Sequence, residues 1–455
     1  CRTEMEKQRQ RRCRLVLVPL PFQGHINPML QLGSILLSKG FSITVIHTAF
    51  NSPDPSNHPE FHFVSIPHNL SDQVISSGNL VLLISVLNVN CQAPFQECLV
   101  RVVEQQDEQE EIACIIYDEL MYFSEAAAKY VKLPSIIFRT TSASTYISRS
   151  GILQLKAEGI LSLQGSTSQD LVPGLHPLRF RDLPVSKFGI PENFLRLISN
   201  MSKTRTSSAV IWNTIDVLEQ SSLPKIQKQC QVPIFPIGPL HKVAPASSSS
   251  LLKEDTGCIT WLDQQIQNSV LYISLGSVAS IDKKELVEMA WGLANSKQPF
   301  LWVIRPGLVD DLEWNKLLPE GFIETVGENG CIVKWAPQTE VLAHGAVGGF
   351  WTHCGWNSTL ESISEAVPMI CRPCFGDQRV NARFVSHEWR TGLQLENPFE
   401  RGKIERAIRS LMVEKEGEEM RQRAWNLKEM VELCVREGGS SYVSLNQLVE
   451  LIISF

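Results

Sequence analysis

Residues 347–361 read V-G-G-F-W-T-H-C-G-W-N-S-T-L-E, from Val347 to Glu361, and the fold turns on this stretch. An apolar run ends at a threonine, a tight polar loop follows, and a segment with helical spacing begins, so the order is strand, loop, helix. The same alternation extends upstream. Val270 to Leu275 has strand character, Asp282 stands where it would cap a helix running to Ser296, and Phe300 to Ile304 and Cys331 to Lys334 read as further buried strands. Downstream, Ile404 to Val435 reads as helix, Gly438 and Gly439 break it, and Tyr442 to Ile452 forms a last amphipathic segment. Strands alternating with helices predict a parallel, doubly wound sheet.

The first half repeats the pattern. Leu15 to Phe22 is a short apolar run, Asn27 followed by Pro28 is a candidate helix start, and Gly40 ends that helix before the strand-like Phe41 to His47. Ile112 to Tyr117 and Ser135 to Phe138 flank a helix-compatible stretch from Glu119 to Val131. Between the halves lies HKVAPASSSSLLKEDT, a serine-rich run with nothing to bury. The expected organisation is therefore a disordered leader at 1–13, an N-terminal domain at 14–240, a linker at 241–256, a second domain at 257–436, and a C-terminal helix at 437–455 that returns to the N-terminal domain.

Composition narrows the class. With 455 residues, 43% of them apolar and a net charge of -6, the chain suits two α/β domains and offers no basic face for nucleic acid. The cationic start (Arg2, Lys7, Arg9, Arg11, Arg12, Arg14) resembles a secretory signal only superficially, because Pro19 and Pro21 interrupt the short apolar run after it. Met5 reads as a candidate natural start, with Cys1 to Glu4 an extension ahead of it. No apolar run approaches the ~20 residues of a membrane span, so a soluble, cytoplasmic protein is expected. Twelve cysteines lack framework spacing, and the lone C-x-x-C at Cys371 and Cys374 is expected to be reduced packing thiols.

In open parallel sheets ligands sit beyond the carboxyl ends of strands, so polar residues just after strand runs are the first candidates. In the first half these are His25, Asp118 and Thr140. Singly, each has a plain structural explanation as a loop or capping residue; together they place a base, a carboxylate and a hydroxyl on one sheet edge, and a carboxylate-held imidazole is a general-base arrangement. In the second half, Ser358 and Glu361 match the S-x-x-E capping box, and the same helix start, preceded by His353, presents backbone N–H groups to a phosphate. Neither G-x-G-x-x-G nor G-x-x-x-x-G-K-[ST] occurs, which argues against dehydrogenases and P-loop ATPases, and no D-x-D is present to hold a divalent ion.

W-A-P-Q at Trp335 to Gln338, H-C-G-W-N-S-T-L-E at His353 to Glu361 and F-G-D-Q ending at Gln378 resemble the signature box of plant family 1 UDP-glycosyltransferases. PFQGHINPMLQL near the start, IIYDELMYF around Asp118, SLGS at Ser274 to Ser277 and the late GGSS carry the resemblance over nearly the whole chain. It implies a GT-B fold, α/β, with two Rossmann-like doubly wound parallel-sheet domains facing a cleft. UDP-glucose would be the donor co-substrate, with no metal and no other cofactor. Trp335 would stack on uracil with the Ala336 backbone at its edge, and Gln338 and Glu361 would bind the ribose. His353, Asn357, Ser358 and Ser277 would meet the diphosphate, Trp356, Asp377, Gln378 and Thr140 the sugar, and Gly355 belongs to the same UDP-sugar site. Gln378 at the last box position accompanies glucose in the family, where histidine often accompanies galactose.

The family's catalytic pair falls on His25 as base and Asp118 as its orienting carboxylate, giving an inverting transfer and a β-glucoside. Phe22, Met121, Tyr146 and Phe375 are the candidate acceptor pocket for a small lipophilic metabolite, and the opening and Asp118 segments most resemble the subgroup of steviol-glycoside and benzoxazinoid glucosyltransferases. A monomer is expected. Another donor, such as UDP-xylose or UDP-rhamnose, and a non-catalytic UDP-sugar sensor are the alternatives, the second opposed by the intact His25 and Asp118. One departure stands out: the family commonly reads E-G-V-P where this chain has Glu365-Ala366-Val367-Pro368, an exchange that costs little only where φ is negative.

Overall fold

The computed structural model describes residues 12–105, 110–160, 168–184, 192–203, 206–245, 250–309 and 318–455. Most of the expected leader and the core of the expected linker, residues 246–249, lie outside these. Arg12 and Cys13, expected in the leader, belong to the first sheet, where they pair with Glu110 and Glu111. Just beyond them, Arg14 makes an ion pair with Glu110.

The chain divides into two units, one made of 1–163, 190–251 and 434–455 and the other of 164–189 and 252–433. The first unit holds β1 (Arg12–Val18), β2 (Ser42–Thr48), β3 (His62–Ile66), β4 (Glu110–Asp118), β5 (Ser135–Arg139), β6 (Ala209–Trp212) and β7 (Ile234–Pro236) in the order β3-β2-β1-β4-β5-β6-β7, every pair parallel. Its inner strands β5 and β6 are buried throughout, whereas the edge strand β3 is partly exposed. Alternate residues of β1, β4 and β5 divide between two cores, with Val16, Val18, Ile115, Tyr117 and Ile137 in one and Leu15, Leu17, Ile116, Ile136 and Phe138 in the other.

The second unit holds β8 (Val270–Ser274), β9 (Phe300–Val303), β10 (Gly330–Val333), β11 (Val347–Thr352), β12 (Met369–Cys371) and β13 (Gly392–Gln394) in the order β10-β9-β8-β11-β12-β13, again all parallel. Asp282 caps the helix Lys283–Ser296 as expected, accepting from Glu285 N at 2.7 Å while Glu285 Oε2 accepts from Asp282 N at 3.3 Å.

Three helices differ from the sequence reading. The first runs Gln23–Ser38 and encloses Pro28, so Asn27 does not cap it; the Asn27 side chain instead accepts from Gln23 Nε2 at 2.6 Å. The stretch after β4 is helical only over Phe123–Tyr130. The long C-terminal helix is two, Arg401–Met412 and Lys415–Val435. The last helix, Ser440–Ile453, places Leu445, Leu448 and Ile452 in the first unit's core, and Ser441 Oγ donates to Gly238 O at 2.7 Å. Residues 168–184, which a linear reading assigns to the first domain, group with the second unit, where Arg383 Nε donates to Pro177 O at 2.9 Å.

Ala366 resolves the family departure. It sits at φ 58° just past the helix Trp356–Ser364, its N–H on Ile363 O at 3.1 Å, while Val367 N–H reaches Ser362 O at 3.0 Å. These are the two bonds of a Schellman motif, whose left-handed position favours glycine because a Cβ there crowds the backbone. Ala366→Gly is therefore expected to stabilise the second unit by about 1 kcal/mol, seen as a higher denaturation midpoint.

Candidate active site

The strand order of the first unit reverses direction between β1 and β4, the kind of switch point beyond which open parallel sheets bind ligands. His25 lies in the first turn of the helix that follows β1, and Asp118 is the last residue of β4. The two meet: Asp118 Oδ2 is 2.7 Å from His25 Nδ1, with the carboxylate side chain fully buried and the imidazole 19% exposed. Asp118 Oδ1 accepts from Leu120 N at 3.0 Å, which fixes the carboxylate plane. Thr140, just past the neighbouring β5, brings its Oγ1 to 2.9 Å from the same Nδ1. A carboxylate beside Nδ1 favours a proton on that nitrogen, so Nε2 becomes the basic one.

The second sheet switches between β8 and β11, and the loops after those strands carry the other cluster. The His353 ring packs between two glycines: a Cβ on either Gly276 or Gly355 would stand 2.5 Å from its Nε2. Burial lowers the His353 pKa to about 4, against an upward pull from the Ser274 backbone and with a further lowering from Arg305, so the ring is neutral at pH 7. Its Nδ1 has no hydrogen-bond partner among the described residues. The Ser277 hydroxyl is likewise uncommitted there.

Gln338, Ser358 and Glu361 are brought together. Gln338 Nε2 donates to Ser358 Oγ at 2.9 Å and to Glu361 Oε2 at 2.5 Å, and Tyr272 Oη donates to Gln338 Oε1 at 3.3 Å. Burial raises the Glu361 pKa, and the Gln338 amide opposes that. The expected capping box is absent: Gly355 is the N-cap and no side chain caps the helix, because Ser358 and Glu361 already lie inside it and turn toward Gln338. Their spacing fitted a cap, but the helix starts three residues earlier than a cap at Ser358 requires.

The remaining candidates are placed less evenly. Trp335 O accepts from Asp255 N at 2.9 Å, and Ala336 is buried. Asn357 is half-buried in the first turn of the same helix. Trp356 is 3% exposed, its ring 6.4 Å from that of Trp389. Asp377 Oδ2 accepts from Asn381 Nδ2 at 3.3 Å. Gln378 turns its Oε1 back onto Cys374 N at 2.8 Å and Phe375 N at 3.1 Å, which closes its own loop and points the amide nitrogen elsewhere. Of the candidate acceptor residues, Met121 is 1% exposed within the core and Tyr146 is held by a bond from its hydroxyl to Ser202 O and by the Arg139 guanidinium over its ring. Phe22 and Phe375 are only partly buried, each against the core of its own unit.

Sequence reasoning missed Arg305. Its Nε donates to Gly276 O at 2.9 Å and its NH2 to Ala279 O, so one guanidinium shapes the loop after β8. Arg305 stands two residues past β9, and the rule that selected Asp118 and Thr140 would have selected it had it been applied to the second half. Glu119, immediately after Asp118, was missed too; it pairs with Arg139 at 3.0 Å and Arg149 at 3.1 Å and ties the ends of β4 and β5 together. Among the described residues no group of three or more His, Cys, Asp or Glu is arranged to hold a metal.

Gly276→Ala tests the clamp on His353. Gly276 has φ 74°, and the added Cβ would displace the ring, so under the resemblance, which puts His353 at the diphosphate, UDP affinity measured by calorimetry is expected to fall about tenfold or more while the far-UV circular dichroism is kept.

Residues 234–422 match the family described as UDP-glucoronosyl and UDP-glucosyl transferase. UDP-glycosyltransferase 76E1 of Arabidopsis thaliana is 51% identical over 439 residues, 96% of each chain. Flavonol 3-O-glucosyltransferase UGT76E12 of the same plant is 50% identical over 454 residues, 98% of each. Among solved structures, Phytolacca americana UGT2 complexed with UDP-2fluoro-glucose and pterostilbene superposes with a TM-score of 0.83 at 26% identity, over 98% of this chain and 99% of that one. A UDP-glucose: anthocyanidin 3-O-glucosyltransferase in complex with UDP gives 0.82 at 26% identity, over 98% and 100%. Sharing half its residues with such enzymes along nearly its whole length, on the same pair of parallel sheets, the chain belongs to the plant family 1 UDP-glycosyltransferases of GT-B fold.

Proposed function

We propose that the enzyme transfers glucose from UDP-glucose to a hydroxyl of a small, largely apolar plant metabolite, with inversion at the anomeric carbon and without a metal. The observation that carries this reading is the Asp118–His25 contact of 2.7 Å at the first sheet's switch point. With Nδ1 engaged, His25 Nε2 would take the acceptor's hydroxyl proton as its oxygen forms a bond to the anomeric carbon. The bond from that carbon to the diphosphate oxygen breaks, and UDP leaves with the electron pair. Asp118 would hold the imidazole in orientation and offset the positive charge it gains. Attack opposite the leaving group turns an α-linked donor into a β-glucoside.

The second unit would hold the donor. Trp335 offers a flat partner for uracil, and Gln338 with Glu361 offers acceptors and a donor for ribose hydroxyls. The start of the helix Trp356–Ser364, with Gly355, Asn357, Ser358, His353 and Ser277, would receive the diphosphate on N–H and hydroxyl donors, with Arg305 supplying positive charge from behind the loop. Trp356, Asp377 and Gln378 would meet the sugar, and Thr140 would contact it from beside His25.

The relatives' names, a flavonol 3-O-glucosyltransferase and a protein complexed with pterostilbene, favour a phenolic hydroxyl on a flat acceptor. Steviol-like and benzoxazinoid acceptors belong in the same assay panel. Among the described residues no helix is long and apolar enough to cross a membrane, and all the described cysteines are free thiols. A monomer working in the cytosol is part of the proposal.

His25→Ala is expected to reduce transfer to alcohol and phenol acceptors by a factor on the order of 10² or more while UDP affinity stays near that of the parent, with a smaller loss for a carboxylate acceptor that is already an anion. Equal turnover of a phenol by the variant would remove His25 as the base, and activity abolished by a chelator would remove the metal-free mechanism. Gln378→His is expected to raise the ratio of UDP-galactose to UDP-glucose use in a mixed-donor competition that also contains UDP-xylose and UDP-rhamnose. A preference for one of the last two in the parent enzyme would replace glucose as the donor. Demonstrable UDP binding without product from any acceptor would favour the sensor.

A further inference from the structure

A second cavity, of about 320 Å³, lies within the second unit and shares no wall with the loops after β8 and β11. Arg179, Arg383, Arg390 and Arg423 line it, against two carboxylates, Glu396 and Glu416. Those carboxylates are already engaged. Glu396 lies 3.6 Å from Arg179 and 3.2 Å from Arg181, and Glu416 accepts from Ser410 Oγ at 2.7 Å.

The guanidinium groups are left in surplus. Arg179 is committed, its Nε 2.8 Å from Asp182 Oδ2, its NH2 2.9 Å from Oδ1 and its NH1 donating to Gln169 Oε1 at 2.8 Å, whereas Arg383 reaches Asp182 only at 3.8 Å, so the surplus lies with Arg383, Arg390 and Arg423. Burial, and then the charge of Arg179, push the Arg383 pKa down, as expected for like charges crowded together. Arg423 Nε donates to the Arg390 carbonyl at 2.7 Å, and its NH1 lies 3.8 Å from Glu419. The Arg390 side chain itself has no partner among the described residues.

The backbone here is also unusual. Phe384–Glu388 forms a π-helical turn, and Arg390 sits at φ 55°, a conformation that disfavours a side-chain-bearing residue. Strain of this kind persists where surrounding structure enforces it and clusters at ligand sites. β13, which forms another part of the wall, is the edge strand of its sheet. No aromatic ring lines the cavity, so nothing there would stack on a base.

We propose that this cavity binds a small, phosphate-rich anion of the inorganic pyrophosphate kind, at a site separate from that of the nucleotide sugar. Guanidinium forks match phosphate oxygens in pairs, and several donors converging on one cavity favour a multiply charged ligand over a single carboxylate.

The test is calorimetric titration of the full chain with pyrophosphate, at low salt and with UDP saturating. A further binding event is expected, weakened as salt rises and reduced about tenfold by Arg390→Ala and more by Arg390→Glu. Because Arg390 is exposed and its side chain is unpartnered, both variants should keep the parent's circular dichroism and UDP affinity. Absence of binding to the UDP-saturated protein, or binding unchanged in both variants, would overturn the assignment. Tighter binding of AMP than of pyrophosphate would overturn the ligand class.

Discussion

In a parallel sheet every strand points the same way, so all the carboxyl ends emerge on one edge and the loops there must be polar enough to meet water or a ligand. That constraint organises both units. His25, Asp118 and Thr140 stand at or just beyond the carboxyl ends of three strands that are neighbours in space, β1, β4 and β5, although 115 positions separate the first residue from the last. His353, Gly276 and Arg305 come likewise from the loops after β11, β8 and β9, which are also adjacent. Buried strands with a core on each face fix the register, and the register fixes which side chains meet.

The two clusters differ in their electrostatics. In the first unit a buried carboxylate faces a partly exposed imidazole. In the second the ring of His353 is neutral, Glu361 is shielded by an amide, and positive charge is supplied by Arg305 through carbonyls of the loop it shapes. Under the proposed assignment the incoming diphosphate meets oriented dipoles that need little rearrangement, which is where preorganised sites gain most of their effect.

The alternating architecture and the edge carrying His25, Asp118 and Thr140 were legible because strand runs and the polar residues that end them are local features. The signature residues were legible because their order in the chain is distinctive. What escaped depended on contacts between distant segments. Ser358 and Glu361 fit a local capping rule, yet their partner is Gln338, some twenty positions away in a different helix. Asn27 and Pro28 suggested a helix start, but the turn made by His25 N and Ile26 N on Phe22 O begins the helix earlier. Grouping of residues 168–184 with the second unit has no periodicity to announce it. The φ of Ala366 could be posed as a question from sequence and answered only by the hydrogen bonds around it.

The helix Ser440–Ile453 completes a core that begins with Leu15 and Leu17. During synthesis those first strands leave the ribosome hundreds of residues before the helix that covers them, and the whole second unit emerges in between. The amino-terminal sheet must therefore wait with part of one face uncovered until that helix has emerged, while the second unit, whose segments are all available sooner, can close first. In this chain the order of emergence and the order of completion run in opposite directions.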